Sequence, residues 1–173
     1  MDLSDLSDRL LFAIPKKGRL YEHCLSLLNG ADIQFYRKTR LDIALSTNLP
    51  LALVFLPAAD IAKFVGEGNV DMGITGQDMV AENGARVKEL VKLGFGKCSL
   101  CIQVPMASGI TDPKQLVGKR IATSFEYLSE KYFNELEHSM RREGATVGPT
   151  RVKYVGGSVE AACALGLADG IGK

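Results

Sequence analysis

The residues best suited to chemistry lie where predicted strands run into helices. Residues 15–20 follow the apolar run 10–14 and contain two lysines, a glycine and an arginine. Gly18 would let the backbone approach a ligand closely, and the amides at a helix start add positive potential. Arg19 could bind a phosphate or the edge of a purine through two parallel hydrogen bonds. An ordinary solvated loop can carry the same cations, so this segment alone leaves both interpretations open.

A second junction, residues 70–78, combines Gly-Ile-Thr-Gly with two aspartates. A strand is predicted over 70–74, and the turn after it has the geometry of an anion or nucleotide cradle. Asp71 falls inside this apolar strand and needs a cation or backbone amides, because an unpaired buried carboxylate is costly. Asp78 would complement the dipole of the next helix. Neither a P-loop nor a GxGxxG pattern is present, so a structural turn is as good an interpretation as a site.

Two more junctions occur at residues 118–124 and 156–160. The hydroxyls of Thr123 and Ser124 could cap the following helix or bind phosphate, and Ser158 could cap the helix after the second junction. Four such junctions around one cleft would suit a multiply phosphorylated ligand. The sequence contains two histidines and no convincing nucleophile–base pair, which indicates catalysis by positioning and electrostatics.

Cys98 and Cys101 have the CxxC spacing of a redox pair or of half a zinc site. No second CxxC exists, and His23 and His138 lack a matching ligand spacing. Alternation over residues 98–104 predicts a strand, which would place the two sulfurs on opposite faces. These features favour ordinary reduced cysteines over a metal or redox site.

The elements that must position these junctions alternate between short apolar strands and amphipathic helices, and no internal repeat is visible. Strands are predicted at 10–14, 51–56, 70–74, 87–93, 98–104, 120–123, 151–155 and 167–171, and helices at 20–28, 58–65, 76–82, 111–117, 126–143 and 159–165. This alternation predicts an α/β fold with largely parallel sheets. Gly94-Phe95-Gly96 is the best candidate for a crossing between two lobes, lobe I at 1–95 and lobe II at 96–173.

Composition restricts the class of protein. Of the 173 residues, 46% are hydrophobic and 24% charged, and the net charge is +1. These values fit a globular protein and argue against general binding to nucleic acid or anionic membranes. No apolar run approaches the roughly 20 residues of a membrane span, and the acidic N-terminus lacks a signal-peptide pattern. A cytoplasmic location is therefore expected.

Five segments taken in order resemble the ATP phosphoribosyltransferases of the long, fungal-like form, and together they cover nearly the whole chain. They are residues 15–20, 51–78, 93–105, 120–133 and 154–169. The resemblance implies two lobes like those of type II periplasmic binding proteins, with mostly parallel sheets and flanking helices. It also implies the first step of histidine biosynthesis, in which the phosphoribosyl group of phosphoribosyl pyrophosphate moves to N1 of ATP and pyrophosphate leaves. Mg²⁺ would accompany the phosphates, and the full-length form would be a homo-oligomer.

The resemblance implies roles for particular residues, although it assigns no catalytic residue and no metal ligand. The residues that match the family's ATP-binding segments are Lys16, Gly18, Arg19, Asp71, Gly73, Thr75 and Gly76. Those that match acids at the ribose end of phosphoribosyl pyrophosphate are Glu160 and Asp169.

The chain departs from the family pattern after Asp169. There the family continues into a second acid and a Ser/Thr-Gly-x-Thr loop that binds the 5-phosphate, whereas this chain reads Gly170-Ile171-Gly172-Lys173. Lobe II is therefore expected to be incomplete, and the C-terminal regulatory domain to be missing. Three hypotheses remain open: a transferase that needs the missing loop, a nucleotide-binding module without turnover, and an inactive fragment.

Overall fold

The computed structural model describes residues 6–37 and 41–173, which divide into two compact units between Lys97 and Cys98. We call them lobe 1 and lobe 2. This division falls two residues beyond the boundary expected from Gly94-Phe95-Gly96. Among the described helices, none combines the length and the apolarity needed to span a membrane.

Lobe 1 is built around a sheet whose strands lie in the order β2-β3-β1-β4. The elements are β1 (Leu10–Pro15), α1 (Arg19–Gly30), β2 (Ile43–Leu45), β3 (Leu51–Leu56), α2 (Ala58–Gly66), β4 (Met72–Gly73) and α3 (Gln77–Asn83). Strand β1 pairs in parallel with β3 and β4, whereas β2 runs antiparallel to β3. Successive residues of a strand face opposite sides. Phe12 and Ile14 therefore pack with Cys24 of α1, while Ala13 packs with Ile61 of α2.

Lobe 2 is built around a sheet whose strands lie in the order β5-β8-β6-β7. The elements are β5 (Ile102–Gln103), β6 (Arg120–Thr123), α4 (Glu126–Arg142), β7 (Arg151–Tyr154), α5 (Ala161–Ala164) and β8 (Gly170–Gly172). Strand β6 pairs in parallel with β7 and β8, and β5 runs antiparallel to β8. Phe133 of α4 packs on Ile121, and Ala162 of α5 packs with Ala122 on the other face. The predicted α/β fold with mostly parallel sheets is thus confirmed.

Several element predictions were wrong. Residues 87–93 form no strand, and Leu90 and Val91 are 68% and 69% exposed, because amphipathic alternation alone cannot supply a partner strand. The strand predicted over 98–104 shrinks to β5, so its alternation says nothing about the two cysteine sulfurs, and both cysteines are exposed. The helix predicted over 111–117 is a 3₁₀ turn, Pro113–Leu116. The short strand β2 was not predicted.

Candidate functional site

The carboxyl ends of β1 and β3 carry the first predicted loop. Lys16 follows β1 directly, and its amide donates to the carbonyl of Leu56 at 2.8 Å. Lys16 is half-buried, whereas Lys17, Gly18 and Arg19 are exposed. Because helix α1 begins at Arg19, the loop and the positive end of the helix dipole lie together at this edge of the sheet.

Gly18 adopts a left-handed conformation with φ of 92°. A Cβ at this position would meet nothing within 4 Å, so the backbone conformation, and not crowding, requires glycine here. Gly18 caps α1 without a side-chain hydrogen bond. The start of the helix is therefore open to an external anion.

The structure adds a cationic residue that sequence reasoning missed. The guanidinium of Arg37 lies over the Phe55 ring, with 3.8 Å between its carbon and the ring centroid, and its Nε donates to the carbonyl of Leu41 at 2.9 Å. Phe55 belongs to the buried run of β3 near its carboxyl end. Arg37 thus lies at the same edge as Lys16, and Asp42 is within ion-pair distance of both cations. No motif marks Arg37, because its position depends on the antiparallel strand β2.

The turn after β4 reaches the carboxyl edge as well. The hydroxyl of Thr75 donates to the carbonyl of Ala58 at 2.9 Å and so ties the turn to the start of α2. Gly73 is required by packing, because a Cβ there would come within 2.5 Å of the Ile61 Cγ2 atom. At Gly76 a Cβ would collide with the carboxylate of Asp78, which folds back toward the turn.

Asp71 lies elsewhere. It is exposed, it precedes β4, and its Oδ2 accepts a hydrogen bond from the amide of Leu11 at 2.7 Å. Asp71 therefore occupies the amino edge of the sheet, at the other end of β4 from Thr75. Its partner is a backbone amide, one of the two kinds expected, but its placement inside an apolar strand was wrong. The structure brings Lys16, Gly18 and Arg19 together and leaves Asp71 apart from them.

In lobe 2 the junction after β6 is organised by a buried hydroxyl. Thr123 Oγ1 donates to the carbonyl of Gly172 at 2.8 Å and accepts from the amide of Phe125 at 2.9 Å. Helix α4 begins after Phe125, which makes no side-chain cap bond. Phe125 therefore occupies the N-cap position of α4, and the hydroxyl of Thr123, one of the two expected to serve this turn, accepts from its amide.

Asp169 lies at the amino edge of the lobe 2 sheet, just before β8. Its two carboxylate oxygens accept from Nε and Nη2 of Arg120 at 3.1 and 2.9 Å, and Oδ2 also accepts from the Arg120 amide at 3.0 Å. The hydrogen bonds from the Arg120 side chain and amide lower the pKa of Asp169 to about 2. These contacts give Asp169 a structural role, and its role toward a ribose stays a prediction.

Glu160 forms an ion pair with the ammonium group of Lys173. Both side chains are about half exposed, at 53% and 55%. Glu160 precedes α5, and Lys173 follows β8, so this acid is at the carboxyl edge of its sheet. The two acids predicted for phosphoribosyl pyrophosphate thus lie at opposite edges of the lobe 2 sheet.

A metal site built by the protein is not found in the described part of the chain. Among those residues, no group of three or more His, Cys, Asp or Glu side chains could hold an ion. Mg²⁺ can instead bind through one or two carboxylates together with substrate phosphates. The acids present fit a metal that arrives on a phosphate chain, with Glu160 and Asp78 at carboxyl edges.

Residues 57–172 match the family model described as HisG: ATP phosphoribosyltransferase. The chain belongs to this family. The matched range includes the turn after β4, both amino-edge aspartates and almost all of lobe 2. The resemblance inferred from sequence motifs is thereby confirmed.

Curated ATP phosphoribosyltransferases from fungi are similar along almost the whole chain. The protein from Yarrowia lipolytica is 62% identical over 172 residues, which is 99% of this chain and 57% of the relative. That from Saccharomyces cerevisiae is 59% identical over 174 residues, again 99% of this chain and 57% of the relative. The chain therefore spans somewhat more than half the length of the curated relatives it matches.

A solved structure has the same fold. It is described as the ATP phosphoribosyl transferase (HisG:HisZ) complex from Thermotoga maritima, and the matched chain is 25% identical with a TM-score of 0.68. The match covers 95% of this chain and 73% of that chain. The predicted fold class, α/β lobes of the type II periplasmic-binding-protein kind, is confirmed.

Proposed function

We propose that this chain supplies the nucleotide-binding lobe of an ATP phosphoribosyltransferase. The reaction would join N1 of ATP to C1 of the ribose of phosphoribosyl pyrophosphate and release pyrophosphate, as the first step of histidine biosynthesis. The observation that carries the proposal is the group of cations at the carboxyl edge of lobe 1 in a chain of this family, namely Lys16, Arg19 and Arg37.

The chemistry matches what these residues can do. Adenine N1 carries a lone pair and needs no base to attack, which agrees with the lack of a convincing nucleophile–base pair in the sequence. Lys16 and Arg19 would hold the phosphate chain of ATP, and the open start of α1 would add positive potential. Such fixed positive groups stabilise anionic charge without reorganising. Mg²⁺, when bound with the phosphates, would supply further neutralisation of the leaving pyrophosphate.

The contacts in lobe 2 favour a second candidate, a nucleotide-binding module without turnover. Both acids assigned to phosphoribosyl pyrophosphate are engaged by cations, Asp169 by Arg120 and Glu160 by Lys173. An acid held in a three-bond contact with an arginine side chain and amide has little capacity left for sugar hydroxyls. Under this candidate, ATP binds at lobe 1 and no pyrophosphate is released.

One experiment separates the two candidates. The chain is incubated with ATP, Mg²⁺ and phosphoribosyl pyrophosphate, and both phosphoribosyl-ATP and pyrophosphate are measured, while ATP affinity is determined by calorimetry. Turnover supports the transferase, binding without either product supports the module, and the absence of ATP binding contradicts both. Arg19→Gln should weaken ATP binding about 10- to 100-fold, because a hydrogen bond to a charged group is lost. Arg86→Gln, an exposed charge change in the same lobe, is the matched control.

Assembly and location complete the proposal. We propose a cytoplasmic protein that forms homo-oligomers, in keeping with its family and with the lack of any pattern for general membrane or nucleic-acid binding. The related Thermotoga maritima structure is described as a complex, which supports association. Sedimentation of this chain across a concentration series would test it.

A further inference from the structure

One carboxylate stands between the cations at the carboxyl edge of lobe 1. Asp42 precedes β2, and because β2 runs antiparallel, its first residue lies beside the carboxyl end of β3. Asp42 Oδ2 is 3.8 Å from Lys16 Nζ, and Oδ1 is 3.6 Å from Arg37 Nη2. A single carboxylate thus faces one cation from the β1–α1 loop and another from the segment before β2.

Other contacts anchor both cationic residues at this edge. Arg37 is held by the Phe55 ring beneath it and by the Leu41 carbonyl. The backbone of Lys16 donates to the Leu56 carbonyl at the end of β3, which fixes where its flexible side chain begins. The Arg37 guanidinium is therefore positioned without Asp42, and the Lys16 side chain starts at this edge whether or not the carboxylate is there.

The two ion pairs are long and partly exposed. Neither distance is within hydrogen-bond range, and 58% of the Asp42 side chain is open to solvent, against 36% for Lys16 and 24% for Arg37. Exposed pairs of this kind contribute little and exchange readily. An incoming anion with better geometry can take the place of Asp42 on both cations.

Lys16 and Arg37 at the carboxyl edge of lobe 1 form what we call the lobe 1 anion site. We infer that Asp42 is the resident counter-ion of this site and that a phosphate group of the bound ligand displaces the Asp42 carboxylate. The identity of that ligand as a nucleotide rests on the proposed function. Asp42 offsets part of the charge of Lys16 and Arg37 when the site holds no ligand, and its displacement subtracts from the affinity of every anion that binds there. A ligand with several linked phosphates can replace both ion pairs at once, whereas an ion that reaches a single cation cannot.

The test is the affinity of the chain for inorganic pyrophosphate and for ATP, measured by calorimetry at low salt. Asp42→Asn should bind both about threefold to tenfold more tightly, because two weak ion pairs no longer compete. Asp32→Asn is the matched control. It removes the same charge from an exposed position of lobe 1, after α1, where Asp32 accepts a bond from Gln34. It should leave both affinities near the wild-type value.

Two further measurements sharpen the test. Added salt should weaken binding more steeply in Asp42→Asn, because the released cations then attract solvent anions. The gain should also shrink when Asp42→Asn is combined with Lys16→Gln, since one of the two competing pairs is already gone. Unchanged or weaker pyrophosphate binding in Asp42→Asn, with wild-type binding intact, overturns the inference. Failure of the wild-type chain to bind either anion contradicts the proposed function itself.

Discussion

Helix α2 of lobe 1 and helix α5 of lobe 2 end in the same way and lead into the same kind of strand. After each helix a glycine adopts a left-handed conformation, Gly68 with φ of 76° and Gly166 with φ of 71°. Three residues later comes an aspartate, Asp71 or Asp169, whose amide donates to the neighbouring strand and whose carboxylate accepts from that strand's amide. The four backbone hydrogen bonds donated by residues 67–70 recur one for one in those donated by residues 165–168, at a constant separation of 98 residues.

The lobes differ in what faces the aspartate. In lobe 1 the partner residue is Leu11, whose aliphatic side chain leaves only the amide to donate. In lobe 2 it is Arg120, which adds its guanidinium and also donates to the carbonyl of Gly166. Backbone geometry therefore fixes where the aspartate lies, whereas one neighbouring side chain decides how strongly its charge is stabilised.

The largest effect is expected in the strand that follows each aspartate, where the two lobes differ in the size of the packed side chains. Gly73 lies against Ile61 in lobe 1, whereas the corresponding residues of lobe 2 are Ile171 and the smaller Val159. Gly73→Ala should destabilise lobe 1 by about 1–3 kcal/mol through overpacking. Chemical denaturation, with hydrogen exchange of peptides from each lobe, would measure the loss.

The control for this prediction removes the colliding atom. Ile61→Ala deletes the Cγ2 atom that the new Cβ would meet, whereas Ile61→Val would keep it, so Gly73→Ala and Ile61→Ala together should cost less than the sum of their separate losses. If the two losses simply add, contact with the Ile61 side chain is not the reason for glycine at position 73.

The next effect distinguishes the two aspartates. Asp169→Asn should cost about 1 kcal/mol, since Arg120 loses a charged partner at a partly exposed site. Asp71→Asn should cost roughly half of that or less, because the amide oxygen of asparagine can still accept from Leu11. Hydrogen exchange in each lobe would reveal both losses, and equal losses would contradict the importance of Arg120.

Low pH should remove the extra stabilisation that Arg120 gives to Asp169. Hydrogen bonds from Arg120 lower the pKa of Asp169 from its ordinary value of 3.8 to about 2. The resulting stabilisation is complete above about pH 5, where the unfolded carboxylate is ionised as well, and is lost as the pH falls through about 2, where the native carboxylate takes up its proton. After discounting for exposure it is worth about 1 kcal/mol.

Arg120→Leu tests this assignment, because it gives lobe 2 the kind of partner that lobe 1 has. The stability difference between wild type and this variant should shrink between pH 4 and pH 2, measured by denaturation at each pH. A difference that stays constant over this range would show that the aspartate is not the group responsible.

The sequence predicted much of this fold because local patterns match what the fold requires. The strands Leu51–Leu56 and Arg120–Thr123 agree with prediction to the residue. Pro50 and Pro57 bound the first, and Gly118 precedes the second, so local signals mark where each strand can lie. The repeat between the lobes was not visible. Over the matched stretch the residues common to both lobes are little more than the left-handed glycine and the aspartate, because backbone hydrogen bonds set the geometry.

The site was harder to predict than the fold. Lys16, Gly18 and Arg19 lie where expected because they follow a strand directly along the chain. Arg37 and Asp42 lie at the same edge only because of the antiparallel strand β2, which has three residues and which no sequence pattern predicted. Asp71 and Asp169 fell inside predicted strands, whereas each lies just before its strand in the structure. Where a strand of two or three residues begins depends on its pairing with a distant neighbour, which local sequence does not indicate.

The smallest effect is expected at an ion pair that lobe 2 has and lobe 1 lacks. Glu160 pairs with Lys173 in lobe 2, whereas the corresponding residues of lobe 1 are Ala62 and Thr75, and Thr75 bonds to a carbonyl instead. Glu160→Ala makes lobe 2 like lobe 1 and should change its stability by less than about 0.5 kcal/mol, because both partners are about half exposed. Denaturation at low and high salt would measure this, and the small loss should vanish when salt screens the pair. A loss of several kcal/mol at both salt concentrations would mean that Glu160 supports the fold of lobe 2, and its availability to a sugar or a metal would then be excluded.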